Sequence, residues 1–441
     1  MNILHITPHF GTGVGAVLQN YFLNEKKNKH FIISLDYINK YSKYILNKSK
    51  VNYFENAYKK KDKIFHLIKK FDLVLIHWWN HPLLSHLIYC YKWPECRLLI
   101  WSHISGTTAP NNYTKNLFFF ADQFIFTTPL SFNINLVKKI NPLLKKKIKT
   151  VWSTGGYQRL NKLVKKKLKN QINIGYVGNL DFSKCYKNII KLFDKVADNK
   201  TIFTIIGGPK NQKIISDIKK SKFRKHYNLL GYVTENEKWK NLVKFDIFAY
   251  PLAKHHFGSC DLALQEAIIL GIPQVVKNNS MENYIVNNKI TGLVSKNDSE
   301  FVSNVKKLKD NITLRKKYSE NSKKIGRKRF NIKTMCEEFD IIFKQTIRMK
   351  KKSKIYNKIL LKQDAEMFEV FVESVGSKKR HFVNFFSKNI KKKNKSKDFL
   401  KKLFKNDNWS SKTKSSPIQF SNFFKKDKKL KEIKNFIYRN K

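Results

Sequence analysis

The first part of the chain alternates short, nearly uninterrupted apolar runs with longer stretches of helical polarity. The apolar runs predict strands at 2–7, 31–35, 71–77, 98–103 and 122–127, and residues 14–23 predict a helix after the first strand. Continuous apolar strands are typical of parallel sheets that helices cover on both faces. Their alternation with helices therefore predicts a doubly wound α/β domain.

A second series of similar layout follows a lysine-rich stretch at 161–169, which we predict to be a linker. Strands are predicted at 172–177, 201–206, 227–230, 245–250 and 273–277, with helices at 187–196 and 262–270. The pattern predicts two Rossmann-like domains, at 1–160 and 170–345. Ligands of open α/β sheets bind at the carboxyl ends of the strands, so we expect the site in a cleft between the two domains.

Beyond residue 345 the pattern weakens, and residues 351–441 hold 27 Lys and Arg against eight Asp and Glu. Aromatic residues such as Phe371, Phe382 and Trp409 are scattered through this segment, although a merely solvated basic tail has no need of them. We predict a partly structured extension at 346–441 that packs on the amino-terminal domain or lies on a membrane surface. Residues 388–397 are predicted to form a mobile loop.

The formal net charge of +57 by itself indicates polyanionic partners. Only nine of the 89 basic residues are arginine, however, and forked recognition of phosphate favours arginine. Two interpretations stay open: a compositional drift toward lysine, and a selected attraction to anionic surfaces. Either way, we expect the chain to accumulate at an anionic membrane surface. Known nucleic-acid-binding motifs and arginine–aromatic clusters do not occur, so no specific nucleic acid is expected as a partner.

The five cysteines form no CxxC motif and no Cys/His cluster with zinc spacing, which fits a reducing compartment. The amino-terminal sequence MNILHITPHFG lacks the charged and apolar regions of a signal peptide. We therefore expect a cytoplasmic protein, with peripheral attachment to the inner face of the membrane as a further expectation.

A glycine loop stands directly after the first predicted strand and opens the following helix. It contains Gly11, Gly13 and Gly15. Glycines let a ligand approach the backbone closely, and the first N–H groups of a helix attract anions. The spacing G-x-G-x-G differs from the dinucleotide fingerprint, so a phosphate contact and a plain tight turn both remain open.

Two histidines end predicted strands, where α/β proteins place ligand-facing groups. His103 ends the run LLIWSH and His77 ends FDLVLIH. His103 also enters a loop with a glycine, which makes it the stronger candidate for a functional role. His5 lies inside the first predicted strand and is expected in the core.

The loop GYVGNLDFSK opens the second predicted domain. It contains Asn179, Ser183 and Lys184 after the first strand of that domain. A lysine in this position can neutralise a diphosphate leaving group. In a lysine-rich chain, a solvated Lys184 is the alternative.

The stretch YPLAKHHFGSCDLALQEA contains the remaining candidates. Gly258, Ser259 and Asp261 precede a predicted helix whose N-terminus can hold a phosphate, and Asp261 is also a possible helix cap. Glu266 lies one to two turns further along among apolar neighbours, where a carboxylate needs partners. Two ribose hydroxyls or a lysine in a structural salt bridge would supply them.

These residues resemble family 4 glycosyltransferases, which are retaining enzymes of the GT-B fold. The stretch from YPL through FGSCDLALQEAIILGIPQVV to MENYI and TGLV is similar to that family's nucleotide-sugar-binding signature. The resemblance implies that Glu266 is the second glutamate of an E-x7-E motif and binds the donor ribose. Glu282 matches a common acidic position. Gly258 stands where the first glutamate usually meets the donor sugar, which is a departure from the family.

The other motifs resemble the same family in order and spacing over about residues 1–345. GYVGNLDFSK resembles the segment VGRL…KG, which implies that Lys184 binds the diphosphate, with Asn179 in place of the usual arginine. GTGVG resembles the glycine loop under the diphosphate. LLIWSH resembles the strand that ends in a histidine, here His103, implied to contact the reacting sugar.

The resemblance implies a retaining glycosyltransferase that moves a sugar from a nucleoside diphosphate sugar to a glycan or lipid-linked acceptor. Surface polysaccharide, lipopolysaccharide or capsule synthesis is the implied setting. No cofactor and no metal are expected, because lysine and helix-end amides would stabilise the departing diphosphate. Two alternatives stay open: a nucleotide-sugar 2-epimerase of the same fold, and a polyanion-binding protein with an inactive GT-B site.

Overall fold

The computed structural model describes residues 1–110, 112–157, 160, 163, 171–209, 211–256, 258–361 and 366–440. The chain divides into two compact units. Unit 1 comprises Met1–Ser153 and Lys333–Lys441, and unit 2 comprises Thr154–Ile332. The predicted linker at 161–169 lies outside the described residues except for Leu163. Unlike the predicted division, this one joins the basic C-terminal segment to the amino-terminal residues in one unit.

Unit 1 is built on a parallel sheet. Its strands are β1 (Asn2–Thr7), β2 (Lys29–Ser34), β3 (Asn52–Phe54), β4 (Leu73–Trp78), β6 (Leu98–Ser102), β7 (Gln123–Phe126) and β8 (Ile148–Thr150), and β5 (Trp93–Cys96) lies outside it. The seven strands pair in the order β3-β2-β1-β4-β6-β7-β8. Strands β4, β6 and β7 are buried at every position, because the layers on both faces exclude water from them.

Six helices of the amino-terminal part connect these strands. They are α1 (Thr12–Asn24), α2 (Lys40–Lys48), α3 (Lys61–Lys70), α4 (Pro82–Tyr89), α5 (Lys115–Phe120) and α6 (Asn135–Leu144). Side chains determine where several of these helices begin. Asn39 caps α2, Thr114 caps α5, and Pro82 occupies the first turn of α4. Helix α3 shows the usual division of faces, since it buries Ile64 and Ile68 and exposes Lys63, Lys69 and Lys70.

Unit 2 is also built on a parallel sheet. Its strands are β9 (Ile172–Val177), β10 (Thr201–Ile206), β11 (Tyr227–Gly231), β12 (Ile247–Tyr250), β13 (Gln274–Lys277) and β14 (Gly292–Ser295), in the order β11-β10-β9-β12-β13-β14. Its helices are α7 (Ile189–Asp194), α8 (Gln212–Lys220), α9 (Glu235–Leu242), α10 (Leu262–Ile269), α11 (Glu282–Ile285), α12 (Asp298–Asp310) and α13 (Ile312–Arg329). The next helix, α14 (Ile332–Thr346), runs from the last residue of unit 2 into unit 1. The predicted α/β class with two Rossmann-like sheets is confirmed.

The C-terminal segment is folded and packs on unit 1. It contains β15 (Lys352–Lys354), α15 (Met367–Ser374), α16 (Lys379–Asn384), α17 (Ile390–Phe404), α18 (Pro417–Phe423) and α19 (Lys428–Arg439). Strand β15 pairs antiparallel with β5, and α15 and α18 contact α4. Phe371, Phe382 and Trp409 are buried in the core of the unit, which explains the aromatic residues of this basic segment.

The predicted mobile loop at 388–397 is wrong, because α17 begins at Ile390. The Asn389 side chain caps this helix by accepting from the backbone N–H of Lys392. Its inner face buries Ser396, Leu400 and Phe404, while the lysines remain on the outer face. The dense lysines hid this amphipathic period in the sequence. In the part of the chain that the structure describes, no helix is long and apolar enough to cross a membrane.

Candidate functional site

The loops after β9 and β12 meet at the carboxyl edge of the unit 2 sheet. The two strands are neighbours in the sheet, and the loops are joined by a bridge between Cys185 and Leu252. The backbone N–H of Ala253 donates to the carbonyl oxygen of Lys184 at 2.8 Å. Backbone pairing therefore holds Lys184 beside the residues that follow β12.

The Lys184 side chain pairs with Asp261 from the adjacent loop. Its Nζ lies 3.0 Å from Oδ2 of Asp261, and the Tyr250 hydroxyl donates to the same oxygen at 3.0 Å. Asp261 stands at the N-cap position of α10 but makes no capping hydrogen bond with its side chain. The interpretation of Asp261 as a helix cap is therefore wrong, and so is that of Lys184 as a merely solvated lysine.

Asp261 stays ionised although it is buried. Burial raises the pKa of Asp261, but the Lys184 ammonium, the His256 ring and the Tyr250 hydroxyl outweigh it, so that the pKa is lowered. Lys184 thus holds an ionised oxygen in a partly desolvated position. A phosphate oxygen has the charge and acceptor character to occupy the same position.

A second buried ion pair lies next to the first. His256 follows β12, Glu282 begins α11, and Nε2 of the histidine is 3.1 Å from Oε1 of the glutamate. Burial lowers the pKa of His256, but the Glu282 carboxylate more than compensates and raises it. The pair forms at Gly258, where an added Cβ would lie 3.0 Å from His256 Nε2 and from Met281 Cβ.

The surroundings of Gly258, where the sequence departs from the family motif, are closely packed. A Cβ at position 258 would require the His256 ring or the Met281 side chain to shift by a few tenths of an ångström. The buried carboxylate of this part of the site belongs instead to Glu282, which is 1% exposed. Sequence reasoning missed His256 because it is one of 12 histidines and no local spacing distinguishes it.

Glu266 lies inside α10 and is 3% exposed. Its Oε1 accepts from Lys238 Nζ at 2.6 Å and from Trp239 Nε1 at 3.4 Å. Among the described residues, no group donates to its buried Oε2. Burial raises the pKa of Glu266, and the bonds from Lys238 and Trp239 offset only part of that rise. The predicted salt bridge with a lysine is therefore present, and it leaves one carboxylate oxygen unsatisfied.

The two partners of Glu266 were missed in the sequence. Lys238 and Trp239 lie on α9, which follows the carboxyl end of β11. A capping box formed by Thr234 and Glu237 fixes the start of this helix. That T-x-x-E pattern is a readable signal for the helix start, but the contact with α10 depends on the fold.

Asn179 and Ser183 shape the loop that delivers Lys184. Asn179 Oδ1 accepts from the Asp181 backbone N–H at 2.7 Å, and Asp181 Oδ1 accepts from the Ser183 N–H at 2.7 Å. Such successive side-chain turns fix a loop locally. Ser259 lies in the facing loop before α10. The structure thus gathers the unit 2 candidates at the carboxyl edge of that sheet.

The glycine loop of unit 1 opens α1. Gly11 is the N-cap residue, with an extended φ of −172° and no side-chain capping bond. The Gly15 N–H donates to the Gly11 carbonyl oxygen at 3.0 Å. A Cβ at Gly13 would meet no described atom within 4 Å, so packing does not require glycine there. The first turn of α1 is therefore accessible at Gly13.

His103 follows β6 at the carboxyl edge of the unit 1 sheet. Its backbone N–H donates to the Trp78 carbonyl at 2.8 Å, and its Nε2 lies 3.0 Å from Nδ1 of His77. Burial lowers the pKa of His103 to about 3, so the ring is neutral at physiological pH. His5 is fully buried, as predicted. Throughout the described ranges, no group of three or more His, Cys, Asp or Glu side chains is arranged to hold a metal ion.

Comparison with known sequences identifies a related family. The family model described as "Glycosyl transferases group 1" matches residues 158–325. An uncharacterized glycosyltransferase of Methanocaldococcus jannaschii is 26% identical over 193 residues, which cover 42% of this chain and 48% of that protein. The chain thus spans about half the length of this curated relative.

Solved structures are similar over a larger part of the chain. Anabaena HepE in complex with UDP-glucose has a TM-score of 0.60 at 13% identity and covers 78% of this chain and 100% of its own. A glycosyltransferase from Rickettsia africae has a TM-score of 0.61 at 15% identity, and the match covers 79% of this chain and 98% of that chain. The lipopolysaccharide outer core galactosyltransferase WaaB has a TM-score of 0.58 at 13% identity, and the match covers 78% of this chain and 100% of that chain. Identities this low show the fold alone, and they confirm the predicted GT-B fold.

Proposed function

Because the chain belongs to the group 1 glycosyltransferases, a family of retaining GT-B enzymes, we propose that it transfers a sugar from a nucleoside diphosphate sugar to a glycan or lipid-linked acceptor. The proposal depends most on one observation in unit 2. Glu266 is buried and anchored through one oxygen, while no described residue donates to the other.

The unsatisfied oxygen of Glu266 supports the nucleotide-binding part of the proposal. A buried carboxylate oxygen without a donor costs free energy, and most such groups in folded proteins have a partner. Lys238 and Trp239 hold the carboxylate in one orientation, so little rotamer freedom remains to be lost on binding. The hydroxyls of a ribose would supply the missing donor.

Lys184 supports the phosphate-binding part. We assign it to the diphosphate, which would take the place of the Asp261 carboxylate as the anion at its Nζ. The Asp261 side chain leaves the first N–H groups of α10 uncapped, and these add further donors for phosphate. Both groups would stabilise the negative charge that grows on the leaving group.

The remaining candidates receive roles in the same proposal. In unit 1 we assign the amides around Gly13 to phosphate and the His103 ring to the reacting sugar. Asn179, Ser183 and Ser259 would shape the loops around the diphosphate, and Glu282 would face the donor sugar beside Gly258. No metal enters this scheme.

The proposal also concerns the acceptor and the biosynthetic process in which the enzyme acts. One structurally similar protein, WaaB, is a lipopolysaccharide outer core galactosyltransferase, which supports cell-surface glycan synthesis as the setting. The net charge of +57 favours attachment to an anionic membrane surface. We therefore propose a cytoplasmic enzyme that works at the inner face of the membrane.

Calorimetry with UDP and GDP tests the nucleotide site. We expect Glu266→Ala to weaken binding by about 100-fold, the scale of hydrogen bonds to a charged group. Glu320→Ala, on the exposed face of α13, is the matched control and should bind like the wild type. Unchanged affinity in Glu266→Ala would reject the assignment. Incubation with a sugar donor then separates transfer, which releases nucleotide, from epimerisation and from an inactive site.

A further inference from the structure

Aromatic and imidazole rings gather at the carboxyl edge of the unit 1 sheet. Tyr37 follows β2 and His9 follows β1, while Trp79 and His81 follow β4, the next strand of the sheet. The His9 and Tyr37 rings are parallel with centroids 5.3 Å apart, and Trp79 meets His9 edge to face at 5.2 Å. The Trp79 ring also contacts that of His103. The rings therefore form one cluster beside the histidine that we assign to the reacting sugar.

The C-terminal segment adds a fifth ring to this cluster. Phe423 is the last residue of α18, and its ring centroid lies 4.7 Å from that of His81 in a T-shaped contact. His81 in turn contacts the rings of Trp79 and His9. We call these five side chains, those of His9, Tyr37, Trp79, His81 and Phe423, the aromatic surface of unit 1.

Hydrogen bonds hold the C-terminal segment against the loop after β4. Asn80 is buried and has a left-handed φ of 53°, which turns the backbone between Trp79 and His81. Its carbonyl oxygen accepts from Ser415 Oγ at 2.6 Å, and its Oδ1 accepts from Ser85 Oγ at 3.1 Å. Helices α18 and α4 also contact each other. The C-terminal segment is therefore anchored at the loop that bears Trp79 and His81.

The aromatic surface offers ring faces to a ligand. Tyr37 is 44% exposed at one end and Phe423 is 37% exposed at the other. Trp79 and His9, which lie between them, are half-buried. The faces of aromatic rings carry negative partial charge and attract the C–H groups of a ligand. Neighbouring aromatic side chains of this kind are typical of small-molecule sites.

The two histidines of the aromatic surface add polar groups to it. Burial lowers the pKa of His9, and no described residue hydrogen-bonds to its buried Nδ1. Burial lowers the pKa of His81 to about 3, and its Nδ1 accepts from the Leu83 backbone N–H at 3.3 Å. His81 is thus neutral with its proton on Nε2. Whichever tautomer His9 adopts, a hydroxyl can pair with its Nδ1, because a hydroxyl both donates and accepts.

This combination matches the chemistry of a sugar ring. A pyranose has an apolar C–H face, which suits the aromatic rings, and a rim of hydroxyls, which suits the imidazole nitrogens. A lipid chain would cover the same rings but would leave Nδ1 of His9 without a partner, and burying an unpaired polar atom costs free energy. A sugar is therefore the better fit.

We propose that the aromatic surface of unit 1 binds a sugar ring of the acceptor, and that Phe423 makes the C-terminal segment part of the acceptor site. The inference rests on the proposed function for the role of that sugar as acceptor. The binding of a sugar ring to the aromatic surface does not depend on it.

Saturation-transfer difference NMR on the full chain tests sugar binding directly. The probes are methyl glucoside, methyl galactoside and methyl mannoside, which carry neither nucleotide nor phosphate. We expect the ring C–H protons of at least one probe to receive saturation from the wild type. In Trp79→Ala and Phe423→Ala the signal should fall by about 5-fold, the scale of one lost aromatic contact. Phe119→Ala removes another exposed ring of unit 1 and, as the matched control, should behave like the wild type.

Three results would overturn the proposal. The first is a wild type that transfers saturation to none of the three glycosides, and the second is an equal signal in the wild type and both alanine variants. The third is saturation of octyl glucoside confined to its alkyl chain, which would indicate a lipid site. Trp79→Phe keeps an aromatic ring and should retain most of the signal, which separates loss of the ring from misfolding of Trp79→Ala.

Kinetics tests the role of the bound sugar. We expect Phe423→Ala to raise KM for the acceptor by about 5-fold and to leave KM for the donor unchanged. Phe119→Ala should leave both values unchanged. If the wild type transfers no sugar, the proposed function fails while the NMR result still decides whether the aromatic surface binds a sugar ring. Glycoside binding with an unchanged acceptor KM in Phe423→Ala would reject the acceptor role alone.

Discussion

The polar groups buried in the central strands of unit 1 differ from those buried at the candidate site of unit 2. Unit 1 buries imidazoles as neutral rings that hydrogen-bond to one another, as from His5 to His77 to His103. Unit 2 buries carboxylates against cations, as in the pairs Lys184–Asp261 and His256–Glu282. The placement explains the difference. His5 and His77 lie within strands covered on both faces, whereas the charged pairs of unit 2 lie in the loops and at the helix starts that follow the strand ends.

The contrast has consequences for stability. A buried neutral histidine stabilises the folded state only while the unfolded chain is also unprotonated. A buried ion pair that includes a histidine is stabilising while the histidine is charged. Unit 1 should therefore be the acid-sensitive part of the molecule, and unit 2 should tolerate mild acid.

Acidification from pH 7 to pH 5 is expected to have the largest effect. Burial lowers the pKa of His81 and of His103 to about 3, and burial with Lys61 lowers that of His86 to about 4. The unfolded chain takes up these protons below about pH 6.5 and the folded unit does not, so each residue costs about 2 kcal/mol at pH 5. Together they remove about 6 kcal/mol, a large part of a typical domain's stability.

Hydrogen exchange resolved by residue measures this effect. Amides of β4 and β6 should lose protection at pH 5, after correction for the intrinsic rate, while those of β9 and β10 keep theirs. In unit 2, His256 has a raised pKa, so its contribution is complete below pH 6.5 and is lost only as the pH rises through the folded value. If the amides of unit 2 lost protection at a higher pH than those of unit 1, the predicted difference in acid sensitivity between the units would be wrong.

Glu282→Gln is expected to destabilise unit 2 by about 3 kcal/mol at pH 6, the scale of removing one partner of a buried ion pair. His256 would then be buried without its counter-ion. Denaturant unfolding at pH 6 and pH 9 checks the result. The loss should be smaller at pH 9 than at pH 6, because the charged fraction of His256 falls as the pH rises, and the exposed Glu320→Gln should change little at either pH. An equal loss at both values would contradict the ion-pair interpretation.

Lys184→Ala is expected to lower turnover by on the order of 10²-fold, about the effect of removing one charge-stabilising group. The variant also tests the contrast between the two units, because it should leave the NMR signals of the unit 1 histidines unchanged. Lys187→Ala, exposed in the same loop, is the control and should turn over normally. Steady-state kinetics with a donor found by ligand screening measures both. Wild-type turnover in Lys184→Ala would remove the phosphate role.

Much of the fold could be predicted because central parallel strands are apolar along their whole length. Strands β1, β9 and β10 have the predicted bounds. The strands missed, such as β3 and β8, are three-residue edge strands with partly exposed side chains. An edge strand pairs with a neighbouring strand on one side only, and its sequence contains no continuous apolar run by which it could be recognised. Helix α17 was missed because lysines dominate its sequence.

The candidate site could be predicted as far as strand ends could be located. Lys184, Asp261 and Glu282 follow predicted strands, and parallel strands bring their carboxyl ends to one edge. The side-chain partners are different. Lys238 meets Glu266 across 28 positions, and His5 meets His77 across 72, so no local spacing records either contact.

The sequence by itself determined the two sheets, the helices between them and the loops that bear the chemical groups, because apolar periodicity and turn residues act over a few positions. Only the tertiary structure decided the state of those groups. It pairs Asp261 with Lys184 instead of capping a helix, leaves one oxygen of Glu266 without a donor among the described residues, and aligns the imidazoles of His77, His5 and His30 behind His103. Burial and hydrogen bonding set protonation, and both depend on residues that are distant along the chain.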